Sequence, residues 1–314
     1  MPVCVFDIFP DGTAQVPADR GLTGQGSYRW WHFDVADPEF EPWIRERLHE
    51  IPAEALLQSE TRPRCDRFED GLILNLRGIN LNEGQSFDRM VSVRMWATES
   101  CLVTARVRRV FAVDDIRSEI AAGRSPMTVA RFIDALVTRL VDRVEERVLV
   151  IMDQSDTFEE SVTHEDEDHL PAGLGAARRS VIRLLRYLEP QRAALQKLAG
   201  SDAPLLTEAD RLDLRELANR AAVSVEELSA IRERLASVQD HHDTQATLRQ
   251  GRNGYVLSVI AAIFLPLGFL TGLFGVNVGG MPGVGSPVAF ALLSLAMAVI
   301  ALLVVLVMRW KRWL

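Results

Sequence analysis

Two stretches near the C-terminal end are apolar without interruption, unlike anything before them. Residues 255–276 read YVLSVIAAIFLPLGFLTGLFGV and residues 288–308 read VAFALLSLAMAVIALLVVLVM, and neither holds a charge. At 1.5 Å per residue each reaches roughly 30 Å, the thickness of a bilayer's hydrocarbon core. A helix apolar all round lies in a large protein core or in a membrane, and core helices rarely run for roughly 21 residues without a polar face. Both segments are therefore expected to be transmembrane helices.

Upstream the periods are shorter and mixed. Residues 27–35, 72–81, 90–97 and 101–107 alternate as strands do, and the breaks between them (Asn82-Glu83-Gly84, Thr98-Glu99-Ser100) suggest an antiparallel meander. Residues 38–50 and 52–58 have helical character, each opened near a proline. Residues 1–124 thus read as an α/β layered domain. From Ser125-Pro126 the period lengthens: Phe132, Leu136, Val137, Leu140, Val144, Val148 and Ile151 recur at three and four. This helix should run to the acidic stretch 159–169, with a second over 174–199, so that 125–200 forms a helical hairpin. A third helix opens near Leu205, where Thr207-Glu208-Ala209-Asp210 is a candidate capping box. Residues 201–254 read as a stalk that, continued into 255–276, would reach roughly 100 Å.

Charge sharpens the division. The 314 residues hold 35 basic and 43 acidic side chains, a net charge of −8. No acid follows Asp243, and from Arg249 onward the charges are Arg249, Arg252, Arg309, Lys311 and Arg312. Residues 1–248 therefore carry 30 basic against 43 acidic groups. An acidic soluble part on a basic-flanked apolar tail lacks the basic face of a nucleic-acid binder. Positive residues flank both spans, with Trp310 and Trp313 as interfacial anchors in the tail 309–314, while the loop 277–287 has none. Positive-inside logic places both termini in the cytoplasm and that loop outside. Met1 to Asp7 has neither a basic nor an apolar leader, so no secretory signal is expected. Cys4, Cys65 and Cys101 are far apart, which supports neither a disulfide framework nor a zinc ribbon.

The two spans differ in kind. The first carries Ser258, Pro266, Gly268, Thr271, Gly272 and Gly275 and ends at Asn277; the second is almost wholly aliphatic. Small and hydroxyl residues suit helix contacts or a pore wall, and a uniformly aliphatic helix suits lipid. Two helices cannot enclose a polar path alone, so a pore requires several copies around an axis. Asn277, uncharged and polar at the outer end of the inner helix, would then contribute to a ring of neutral carbonyl oxygens around a cation. The same residue is also a plausible helix C-cap.

Other candidate chemistry is weaker. His164-Glu165-Asp166-Glu167-Asp168-His169 offers metal-binding side chains, with His164, Glu165, Asp168 and His169 as a candidate cytoplasmic site. Its histidines are five apart, roughly 140° on a helix, whereas a zinc-protease motif needs four. A solvated acidic helix end is the competing reading. His241-His242-Asp243 precedes the first span as exposed stalk residues, or as rings facing an axis. Gly24-Gln25-Gly26 and Gly173-Leu174-Gly175 lack the strand-then-helix context of a nucleotide site. No catalytic constellation is present, and no enzyme is expected.

Residues 264–283, FLPLGFLTGLFGVNVGGMPG, resemble the membrane signature of the CorA superfamily of divalent-cation transporters, with Gly275-Val276-Asn277 in place of that family's Gly-Met-Asn. The variant looks like the zinc-associated ZntB branch, as do Glu60 to Arg64, Leu72 to Asn80, Arg186 to Arg192 and the terminal Trp313-Leu314. The resemblance implies a homopentamer: an α+β cytoplasmic funnel, long stalk helices and two transmembrane helices in a bacterial-type inner membrane. It implies no bound cofactor, only a transported divalent cation, most plausibly zinc and with proton coupling, although the spans offer no ionisable carrier. By spacing from Asn277, the pore-facing positions would be Gly272, Gly268, Leu265, Ala261, Leu257, Gly254 and Gly251. Two depart from the family pattern: Gly268 stands where relatives often have threonine, and Gly251 where they often have asparagine, with Asn253 nearby. The alternatives are a CorA-type magnesium or cobalt channel and a membrane-anchored metal sensor.

Overall fold

Alternation along the strands sorts the soluble core into two layers. The computed structural model describes residues 1–59, 61–163, 170–275 and 285–311. Seven strands form one mixed sheet: β1 (Cys4–Ile8), β2 (Ala14–Gln15), β3 (Tyr28–Asp34), β4 (Arg64–Phe68), β5 (Gly71–Gly78), β6 (Val91–Ala97) and β7 (Cys101–Arg106), in the order β2-β1-β3-β7-β6-β5-β4. On one face Trp31, Phe33, Ile73, Trp96 and Val103 meet Phe40 and Ile44 of α1 (Phe40–Arg47) and Leu56 of α2 (Glu50–Leu57). On the other, Trp30, Leu72, Leu74, Leu76, Val93 and Met95 meet Ile116 of α3 (Phe111–Ala121) and Phe132, Ile133 and Leu136 of α4 (Val129–Thr163). Neighbours in sequence thus serve opposite layers, as a two-residue period requires. Each large apolar side chain so buried contributes about 1.5–3 kcal/mol.

β5, β6 and β7 pair antiparallel as expected, and β4, which was not anticipated, extends that meander at its edge. The expectation fails at β3, which pairs parallel to β7, Trp30 opposite Leu102. The connection from β3 through α1 and α2 reaches the far edge, and the meander then returns strand by strand to β3. β1, β2, β4 and α3 were not legible beforehand. β1 hides a charge: Asp7 lies opposite Arg29 of β3 and accepts its Nη2 at 2.8 Å, with the guanidinium wholly buried. In a sequence two such charged residues suggest solvent contact, whereas in the fold they pair in the interior.

The helices continue the core. Val144, Val148 and Ile151 of α4, Val181, Leu184 and Leu188 of α5 (Leu174–Ala199), and Leu228, Ile231 and Leu235 of α6 (Glu208–Gly275) make a second apolar cluster. The capping box at the start of α6 is formed: Asp210 N donates to Thr207 Oγ1 at 3.2 Å, and Thr207 N donates to Asp210 Oδ2 at 3.1 Å. α6 then runs 68 residues, through Gly251, Gly254 and Pro266, into the first apolar segment. The chain divides into two units, Met1–Gln239 and Asp240–Leu314, with the boundary inside α6. The second unit holds the rest of α6 and α7 (Ala289–Trp310). Gly24 and Gly26 pack against β1: a Cβ would lie 2.1 Å from Asp7 Oδ1 at Gly24 and 2.2 Å from Ile8 O at Gly26. Close backbone approach, not phosphate binding, accounts for these glycines.

Candidate ion pathway

The C-terminal part of α6 and α7 are both long and apolar enough to cross a membrane. At 100° per residue, Gly254, Leu257, Ala261, Leu265, Gly268, Gly272 and Gly275 fall within an arc of about 80° on α6. Gly251 lies about 40° beyond one edge and Asn253 about 40° beyond the other. Asn253 therefore does not share Gly251's direction. All of these positions are exposed in the single chain, Leu265 at 78% and Leu257 at 68%. A Cβ added at Gly251, Gly254, Gly268, Gly272 or Gly275 meets no atom within 4 Å. Among the described residues nothing explains this stripe of glycines, each of which weakens a helix by about 1 kcal/mol relative to alanine.

The polar groups near the stripe are turned inward on the helix. Ser258 Oγ donates to Gly254 O at 2.8 Å and Thr271 Oγ1 to Gly268 O at 3.0 Å, so both hydroxyl protons are used locally. Pro266 has no N–H, so the carbonyl of Ala262 loses its helical donor. The stripe thus offers backbone and small apolar surface, with no acid, base or free hydroxyl proton. α7 is almost wholly aliphatic between Phe290 and Met308, with Ser294 as the exception, and among its described residues only Met308 is buried.

Gly275 closes α6, while Val276 and Asn277 lie outside the described residues, as do His164, Glu165, Asp168 and His169. Among the described residues no cluster of three or more His, Cys, Asp or Glu side chains is placed to hold a metal ion. His242 Nδ1 lies 3.5 Å from Asp243 Oδ1, with His241 exposed beside it. Burial pushes the thiols of Cys4, Cys65 and Cys101 up to about 12, which removes them as thiolate ligands. Burial, reinforced by Arg106, lowers His32 to about 3. Its Nδ1 pairs with Thr104 Oγ1 at 2.8 Å, and that oxygen also accepts from Trp30 Nε1 at 2.8 Å. His32 is thus a neutral core residue.

Two helices long and apolar enough to cross a membrane, the first with a glycine-rich stripe, thus follow a layered unit. Residues 25–312 match the family model described as CorA-like Mg2+ transporter protein. The chain belongs to the CorA family. It is 38% identical over 290 residues to the divalent cation transporter CmaX of Pseudomonas aeruginosa, covering 91% of this chain and 87% of that one. It is 30% identical over 289 residues to the zinc transport protein ZntB of Yersinia enterocolitica, covering 91% and 88%. The solved structure of full-length CmaX superimposes with a TM-score of 0.85 at 34% identity, covering 99% of this chain and 98% of that one. This CorA-family chain is therefore a divalent cation transporter and not an enzyme. Its fold is the CorA-like one, a soluble domain followed by two apolar C-terminal helices.

Proposed function

We propose that the protein carries zinc across a bacterial inner membrane, through a path at the centre of five copies of the chain. The observation that carries this reading is the stripe from Gly254 to Gly275: uncharged, mostly glycine and alanine with Leu257 and Leu265 between them, and exposed in the single chain. Packed around an axis, it makes a narrow apolar tube whose wall holds no carboxylate to trap a divalent ion. The Gly275-Val276-Asn277 run supplies the outer mouth, where Asn277 side chains meet the hydrated cation. Gly251 and Gly254 lie at the inner end, beside Arg249 and Arg252, and both termini face the cytoplasm. Residues 277–287 form the outer loop, and α7 faces lipid. Any proton coupling runs through the soluble unit or a water path, since the spans contain no titratable acid or histidine.

The zinc assignment rests on the Gly-Val-Asn variant and on the likeness to ZntB. The likeness to CmaX, named only for divalent cations, keeps magnesium or cobalt as the second reading. A membrane-anchored sensor finds no counterpart in these relatives. The site residues are tested with Asn277→Ala reconstituted in liposomes. Correct assembly with zinc flux altered severalfold supports the mouth; flux equal to the parent's at correct assembly removes it.

A further inference from the structure

The basic side chains of the unit Asp240–Leu314 outnumber its acids, and the two signs lie apart. Five basic groups follow the last acid, Asp243: Arg249, Arg252, Arg309, Lys311 and Arg312. Arg252, Arg309 and Lys311 are exposed, and among the described residues none of the three takes part in an ion pair. Asp240 and Asp243 are the acids of this unit, and both sit on α6. At 1.5 Å per residue Asp243 lies about 14 Å along that helix from Arg252, beyond ion-pair reach. Residues 277–287, joining the other ends of the two apolar helices, hold no charged side chain.

Helix length puts these cations at one level. Arg252 lies about 35 Å before Gly275 along α6, and Arg309 about 30 Å beyond Ala289 along α7. Two helices that each cross the bilayer once therefore meet the same interface with them. α7 keeps its helical form to that point: it ends at Trp310, and Lys311 N still donates to Val307 O at 2.9 Å. Arg309, Trp310 and Lys311 thus leave the helix at successive steps of about 100°, with one cation on either side of the indole. Trp310 is 83% exposed. An indole of this kind sits at headgroup level, and the apolar stems of Arg and Lys let their charges reach the phosphates there.

We propose that Arg309 and Lys311, flanking Trp310, bind the headgroups of anionic phospholipid, with Arg252 adding positive charge at the same level. A guanidinium takes a phosphate through two parallel N–H donors, and lysine takes it as a point charge. A zwitterionic headgroup balances its own phosphate, whereas a net negative one gains from each cation it meets. Each Lys or Arg near an anionic surface is worth about fivefold in association. The basic residues then do more than set orientation: they select the lipid around the protein. The uncharged loop 277–287 confines that selection to one leaflet, the cytoplasmic one in the proposed orientation. The inference rests on insertion of both apolar helices and not on which ion is carried.

The test uses the purified full-length protein in phosphatidylcholine vesicles. Phosphatidylcholine or phosphatidylglycerol with dibrominated acyl chains is added at equal mole fraction and ionic strength, and tryptophan quenching gives their relative association. Bromine quenches at close range, and Trp30, Trp31, Trp43 and Trp96 belong to the soluble unit, so the lipid-dependent signal comes from the tail. The parent should prefer phosphatidylglycerol about tenfold or more, and Arg309→Gln combined with Lys311→Gln should bring the preference within about twofold. Arg215→Gln, in the soluble unit, should keep the parent's preference. Arg309→Gln alone should lower it severalfold, and it carries the test if the double variant does not assemble. The proposal is overturned if the two lipids associate equally with the parent, or if the neutralised variant keeps the parent's preference. It is equally overturned if neither brominated lipid quenches the tail, which would place Trp310 against protein. Zinc flux in the same vesicles reads the pathway separately: a parent that carries zinc without lipid preference sinks this proposal alone.

Discussion

Replacing Gly268 with leucine separates the two roles a helical glycine can have. Within one chain the added Cβ meets no described atom within 4 Å, and the position is exposed. It also removes a poor helix former, a gain of about 0.8–1 kcal/mol per chain on helix propensity. The helix should therefore form at least as well, and assembly size should stay that of the parent. If Gly268 faces an axis shared by several copies, every copy now adds an isobutyl group to the path beyond those of Leu257 and Leu265, at a level that glycine leaves open. Each 1.4 kcal/mol added to the crossing barrier slows flux tenfold, and displacing water from a divalent ion costs well above that. The account expects zinc uptake into proteoliposomes, followed with an entrapped zinc-sensitive dye, to fall more than tenfold. Ala298→Leu, in the middle of α7, should leave uptake within twofold of the parent. Gly268→Leu transporting within twofold of the parent, at unchanged oligomer size, would refute the stripe as the pathway.

Cysteine exchange at the same face is a second check: Gly272→Cys should crosslink neighbouring copies through the first span, whereas crosslinks formed chiefly from α7 positions would reverse the inner and outer assignment. The three native cysteines interfere little, because two are buried and all three thiols titrate near 12. Asp7→Ala should lower stability by about 3 kcal/mol, the lower end for a broken buried pair because Asp19 still holds Arg29; a detergent melting curve unchanged from the parent's would contradict it. His32, near 3 when folded and near 6.5 when unfolded, is neutral in the core. Protonation then favours the unfolded chain below about pH 6.5, so stability should fall by about 2 kcal/mol from pH 7 to pH 5 on this account. The slope of melting temperature against pH should flatten in His32→Asn, and an unchanged slope would assign it elsewhere.

What could be read from the residues alone followed the strength of the period. The helix expected over 174–199 is α5, whose apolar residues recur at three and four over most of its length. The capping box at Thr207 and the continuation of α6 were legible for the same kind of reason, a local rule with one outcome. β1 and β4 were not, since five residues carrying Asp7, or Asp66 and Arg67, lack a clean alternation. Nor could the parallel pairing of β3 with β7 be read, because strand partners are chosen by the three-dimensional path of the chain. The stripe on α6 was visible as spacing, whereas the open space around it required coordinates.

The central claim, transport of a divalent cation with zinc preferred, is tested most directly by initial rates in proteoliposomes containing the purified parent protein. Zinc, cobalt and magnesium are presented separately at equal concentration, with protein-free liposomes as the baseline. The account predicts saturable zinc uptake above baseline, faster than that of the other two ions. Magnesium moving fastest, with zinc at baseline, would contradict the zinc assignment; all three ions at baseline would contradict the transport reading itself.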